Sequence, residues 1–173
     1  EETPKATTAE TPVQAIQKAL VSPFAVNDIS LRLNTLFGFD EKQGTYVRSL
    51  LHVKADDLKF TDEPNGVKKA VFDVLAVSFG DNGQPVDQIS KTYTLRTNAL
   101  GYEKIQRDGF VYHFTFPVKK PGAYQFRIAI RDSQANKVGS ASQFIEVPNL
   151  KKNLFTISGI VHENFTVEQW KSF

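Results

Sequence analysis

The side chains best suited to acid–base or ligand chemistry in this chain are His52, His113 and His162. No two of them stand at the i, i+2 or i, i+4 spacing of a metal pair, and no HExxH motif occurs. His52 and His113 fall on the polar phase of strand-like runs, the ordinary place for a surface or cross-strand histidine. A serine nucleophile calls for G-x-S-x-G on a strand-to-helix elbow. Gly139-Ser140-Ala141-Ser142 lacks the second glycine and lies within a strand pattern. The chain has no cysteine, which excludes a disulfide framework, a thiolate zinc site and a cysteine nucleophile. No glycine run of the phosphate-cradling kind is present. The sequence therefore predicts no catalytic residue, no cofactor and no metal centre, and the chain is not expected to be an enzyme.

Binding without catalysis has several candidates. The acidic stretch at 55–66 carries Asp56, Asp57, Asp62 and Glu63 near Asn65, and carboxylates with an amide oxygen suit calcium. Its spacing is not that of an EF-hand loop, and acidic residues between strands are commonly just solvated. Asp81-Asn82-Gly83 favours a tight hairpin and needs no ion to explain it. Asn164-Phe165-Thr166 matches the N-glycosylation sequon, a pattern short enough to arise by chance. Fourteen Phe and five Tyr raise the idea of an aromatic platform for sugars. Most of them keep phase with strand interiors, where core packing accounts for them. Tyr46, Tyr102, Phe144 and Trp170 do not, and are the candidates for an exposed contact patch. The 21 basic and 19 acidic residues leave a charge of +2. The basic ones are scattered, in part as the doublets Lys68-Lys69, Lys119-Lys120 and Lys151-Lys152. A nucleic-acid partner would call for a clustered basic excess, so none is expected.

The elements that would position these residues read mainly as strands. Residues 1–10 are small and polar and predict a flexible linker. A short helix is predicted over 11–22, with Thr11 as N-cap, Pro12 at the first helical position, Gln14 completing a capping box, and Val13, Ile16 and Leu20 on one face. Strands follow from Ile29, from Tyr46 to Lys54, and from Val67 to Phe79, with turn chemistry in 37–44 and at Pro64-Asn65-Gly66. The run from Val67 to Phe79 is apolar on both phases, as in a central strand covered on two sides. Gly80 to Gly83 predicts a hairpin into a strand bearing Ile89, Tyr93 and Leu95, and 99–109 predicts a short helix. Phe110, Tyr112, Phe114 and Phe116 form the inner face of another strand. Val138 to Val147 supplies a further one, with Phe144 on the opposite face, and Leu154 to Val161 a candidate last strand before a tail at 162–173. No apolar run approaches the ~18 residues of a membrane span, and no signal peptide is visible. The chain contains no methionine, including an initiator, as expected of a mature form or an excised piece.

Pro117 to Asp132 organises the set. Tyr124, Phe126, Ile128 and Ile130 alternate with Gln125, Arg127 and Arg131, the period of a half-buried strand. Gly122, Tyr124 and Phe126 repeat the spacing of the immunoglobulin tyrosine corner, with Phe126 in the place of the cysteine. The expected fold is an immunoglobulin-like or fibronectin-like antiparallel β-sandwich of seven to eight strands spanning residues 24–161, with a short N-terminal helix.

The runs QAIQKALVSPFAVNDI, YVRSLLHVKADDLKFTDEPNGVKKAVFDVLAVSFGDNGQPVDQ, PVKKPGAYQFRIAIRD and KVGSASQFIEVPNL resemble the C-terminal β-rich region of acidobacterial von Willebrand factor A-related proteins. In that bacterial family a von Willebrand factor A domain precedes such a region. The resemblance implies an extracellular or cell-envelope location and an adjacent von Willebrand factor A domain or another protein as partner. It does not carry the metal-binding D-x-S-x-S motif here, because Asp28-Ile29-Ser30-Leu31-Arg32 has arginine at the second serine. The expected role is a non-catalytic accessory module for protein–protein contacts. The alternative is a carbohydrate-binding module using exposed aromatics, with calcium in the acidic loop as an aid.

Overall fold

The computed structural model describes residues 11–150 and 155–161. The expected linker at 1–10 and tail at 162–173 lie outside the described residues. Helix α1 runs Pro12–Val21. Its capping box is closed, with Gln14 N donating to Thr11 Oγ1 at 3.3 Å and Thr11 N donating to Gln14 Oε1 at 2.9 Å. Two antiparallel sheets follow. One contains β1 (Leu31–Asp40), β2 (Gly44–Val53) and β6 (Phe110–Pro117) in the order β1-β2-β6. The other contains β3 (Thr61–Glu63), β4 (Val67–Phe79), β5 (Pro85–Thr97), β7 (Gly122–Asp132) and β8 (Val138–Val147). Strand β4 is central, paired along one side with β5 and on the other with β7 and, at its start, β3. Helix α2 (Ala99–Asp108) carries the chain from β5 back to β6.

The fold is thus a mainly β sandwich of eight strands with a short N-terminal helix, immunoglobulin-like or fibronectin-like in its architecture. Its core lies between the sheets, where Val47, Leu51, Val53, Phe114 and Phe116 meet Phe72, Val74, Phe126, Ile128 and Ile130. The other phase of β4 is also covered. Ile16, Ala19 and Leu20 of α1 pack on Val77, Ala129 and Val138, with Leu75 and Phe79 alongside. Apolar residues on both phases of β4 therefore correspond to two layers, one a sheet and one a helix. The sheets are tied at the β1/β8 side, where Ser140 N donates to Val26 O at 2.8 Å and Thr35 N donates to Gln143 Oε1 at 2.8 Å. Gly139 sits where these segments cross. A Cβ there would stand 2.2 Å from Ile29 O, so the crossing admits only glycine.

Several boundaries differ from the sequence pattern. Val13 shares the phase of Ile16 but is 61% exposed, because the first turn of α1 stands off β4 and β5 across an open cavity of about 350 Å³. Ile29 precedes β1 and is fully buried beside β8, its N–H donating to Val138 O. Phe37 to Asp40 continue β1, and the turn shrinks to 41–43, where Asp40 Oδ1 accepts from Lys42 N and Gln43 N. The acidic stretch contains strand β3, paired with the start of β4. Residues 155–161 form no strand despite their apolar pattern. They lie beside β1 with Ser158 Oγ accepting from Phe37 N at 2.8 Å.

Candidate interaction surface

At the entry to β7, Gly122 holds a φ of 146°, a conformation glycine adopts and side chains resist. Two residues on, Tyr124 is buried and its Oη donates to Lys120 O at 2.7 Å. Phe126 is 1% exposed and packs on Phe116 with ring centroids 5.3 Å apart.

Most of the polar groups inside the molecule are committed to the scaffold. Asp132 is 1% exposed and accepts three backbone N–H bonds, from Gln134 and Ala135 at 2.7 Å each and from Lys59 at 2.6 Å. It joins the β7–β8 turn to the segment before β3. Arg131, on the polar phase of its strand, is buried all the same. Its Nη1 donates to Asp73 Oδ2 at 2.6 Å and its Nη2 to Asn136 Oδ1 at 3.0 Å, while Thr92 Oγ1 donates to Asp73 Oδ1. The Asp132 turn had one local signal, an Asx residue heading a polar loop. The Lys59 contact had none.

The titratable candidates do not converge. Asp108 O accepts from His52 Nε2 at 2.8 Å, and His113 stands exposed on the same sheet. His162 lies outside the described residues. In the acidic stretch each carboxylate has its own partner. Asp56 pairs with Lys54 at 2.9 Å, Asp62 with Lys68 at 2.5 Å, and Glu63 with Lys69 and Arg96 at 3.0 Å each. Hydrogen bonds from Arg96 and Lys69 hold the Glu63 carboxyl below its ordinary range. Burial raises Asp57, but the Ser30 bonds with Lys54 and Lys137 outweigh it and leave the group lowered. No group of three potential metal ligands occurs among the described residues.

The aromatic candidates occupy separate surfaces. Tyr46 is half-buried on the outer face of the β1-β2-β6 sheet, with the Arg48 guanidinium 5.7 Å from its ring centre. Tyr102 packs edge-on to Phe60 at 5.0 Å on the α2 side. Phe144 is 65% exposed on the outer face of the other sheet, and Trp170 lies outside the described residues. A sugar platform built from Tyr46, Tyr102 and Phe144 together is therefore not assembled. A different pair went unread in the sequence. Tyr93 and Tyr112 meet across β5 and β6 with ring centres 4.4 Å apart, and burial with the Tyr93 hydrogen bond pushes the Tyr112 hydroxyl up to about 12.

Around Phe144 the surface is concave. The last turn of α1, the β4–β5 hairpin, β7 and β8 enclose an open cavity of about 580 Å³, walled by Val21, Phe79, Tyr124 and Phe144. Arg127 stands in its wall and donates through Nη1 to the Leu20 and Val21 carbonyls, at 3.3 Å each. These are carbonyls the helix end leaves open. Phe24 borders a smaller cavity that also includes Arg127. Val21, Phe24 and Phe144 are 65%, 80% and 65% exposed, so three large apolar side chains surround one arginine.

No protein-family model matches the chain, and no curated protein sequence does. Among solved structures it is similar to a calcium-binding mutant (D341A D367A) of Bacteroides uniformis β-glucuronidase 2, with 14% identity and a TM-score of 0.42 over 66% of this chain and 13% of that one. A second structure, Bacteroides uniformis β-glucuronidase, has 16% identity and a TM-score of 0.38 over 68% of this chain and 13% of that one. The chain thus spans about an eighth of the length of the structures it resembles.

Proposed function

We propose that this chain is a non-catalytic β-sandwich accessory module of a larger exported or surface protein and acts through protein–protein contacts. The observation that carries the proposal is the group of exposed apolar residues Val21, Phe24 and Phe144 around Arg127. Contiguous exposed apolar surface on a folded domain marks a contact site. The resemblance to the region that follows a von Willebrand factor A domain supports an adjacent domain of that kind as the partner, in the extracellular space or cell envelope. The test compares hydrogen exchange in this chain alone with exchange in the longer gene product. Added protection is expected at the last turn of α1 and in β8 around Phe144, and Phe144→Ser removes it. Identical exchange in both forms at every surface of the sandwich sinks the proposal.

A further inference from the structure

We infer that the outer face of the β1-β2-β6 sheet docks an acidic amphipathic helix of a protein partner. The inference rests on the interaction-module reading and adds the chemistry of one partner. Register sets the three-stranded part of the face as four cross-strand rows: Arg32, His52 and Val111; Asn34, Leu50 and His113; Leu36, Arg48 and Thr115; Gly38, Tyr46 and Pro117. Asp40 and Gly44 continue the β1–β2 pair past the end of β6, and the Asp40 carboxylate there is engaged by the Lys42 and Gln43 N–H groups of the turn. Helix α1 lies on β7, β8 and β4, and α2 lies on β4, β5 and the turn before β3, reaching the face only at its last residue, where Asp108 O accepts from His52 Nε2. Among the described residues the face is bordered at β1 by 155–161, where Gly159 closes on Leu36. That segment adds the exposed Phe155, Ile157 and Ile160 to the rim.

Two properties of the face choose the partner. The first is charge. Its twelve positions hold two arginines and two histidines and no carboxylate, and neither Arg32 nor Arg48 forms an ion pair among the described residues. A surface of one sign recruits its complement. The second is composition. The chain has fifteen lysines to six arginines, yet these twelve positions have no lysine, and they also lack Ala, Ser, Asp and Glu. Arginine and tyrosine are enriched in protein interfaces and those five residue types are depleted. Leu36, Tyr46, Leu50 and Val111 run between the arginines and histidines, and the Tyr46 ring lies over Gly38, where a Cβ would meet its Cζ at 2.6 Å. A polyanion such as DNA has no use for that apolar centre. Three strands ~4.8 Å apart and rows spread over six residues at ~3.4 Å give a face about 10 by 20 Å. That is the footprint of a single helix ~10 Å across and about four turns long.

The test uses the 173-residue chain and a fluorescent helix-forming peptide with leucine on one face and glutamate on the other. Anisotropy gives the affinity, and amide chemical shifts give the location. Shifts are expected in 32–38, 46–52 and 111–117, and R32E/R48E is expected to raise Kd by about tenfold or more. K91E/K104E, the same charge change elsewhere, should alter Kd by less than about twofold. Thermal melts establish that each variant is folded, and R32Q/R48Q serves in place of the reversal if the latter melts early. Equal loss in both double variants overturns the inference, as do shifts confined to other surfaces. Binding of duplex DNA or anionic vesicles at this face without binding of the peptide overturns it too. If the face fails while hydrogen exchange still shows protection around Phe144, the module reading stands and only this partner falls.

Discussion

Tyr124 spans a single turn of chain, from its own ring in the core to the Lys120 carbonyl, so its hydroxyl holds the loop before β7 against the sandwich. Removing only that oxygen with Tyr124→Phe keeps the ring and deletes one hydrogen bond, worth about 1 kcal/mol. The melting temperature should fall accordingly; no change would count against the corner. Tyr112 behaves in the opposite sense to a paired carboxylate. Its hydroxyl is raised above the ordinary value of 10.0 to about 12, so the folded state favours the neutral form. Its stabilising contribution is complete below pH ~10 and is lost as the pH rises from there through about 12. In an alkaline titration followed by tyrosinate absorbance, one tyrosine should ionise late, and Tyr93→Phe should bring it earlier. A midpoint for Tyr112 that does not move in Tyr93→Phe would remove the pair as a cause and leave burial alone. Tyr124 was legible because its partner lies four residues away. Asp132 was not, because Lys59 is 73 residues away and nothing local marks a distant donor.

At the level of elements, β5 poses a problem that its sequence answers. It is 13 residues long and, among the described residues, pairs only with β4, which leaves its other edge of backbone donors and acceptors without a described strand partner. Lys91 stands opposite Val74, in the inward phase shared with Ile89 and Tyr93. A lysine on the inward phase of an edge strand discourages pairing with a second strand, which would trap its charge. Lys91→Val should therefore give concentration-dependent association in analytical ultracentrifugation with little change in melting temperature. A strictly monomeric variant would show that the edge is guarded by something else. The strand from Val67 to Phe79 was legible from end to end, because turn residues bound it on both sides and its apolar content is continuous. Two other elements were not. Val13 obeys the helical period, but whether a turn is buried depends on how closely it approaches the sheet beneath it. Residues 155–161 have strand composition, but no neighbouring strand pairs with them, so the pattern had nothing to complete it.

For the molecule as a whole, the sandwich class followed from local signals, namely short alternating runs with turns between them. The surfaces did not, because each is made by register. Arg32, Arg48 and His113 come from three strands and share one face only when β1, β2 and β6 align. Val21, Phe24 and Phe144 come to flank Arg127 only because α1 packs on β7 and β8. The same tie between the first and last strands bears on synthesis. A ribosome delivers the hairpins β1–β2 and β4–β5 early, since each closes through a short turn. The bonds from Val26 to Ser140 and from Thr35 to Gln143 span 114 and 108 residues, and long-range pairings form late. Until β7 and β8 have emerged, the nascent chain carries an amphipathic helix without most of its docking surface and an unsealed β1. Neither is buried before the last two strands arrive, and in that interval a holdase has the most to gain from binding it.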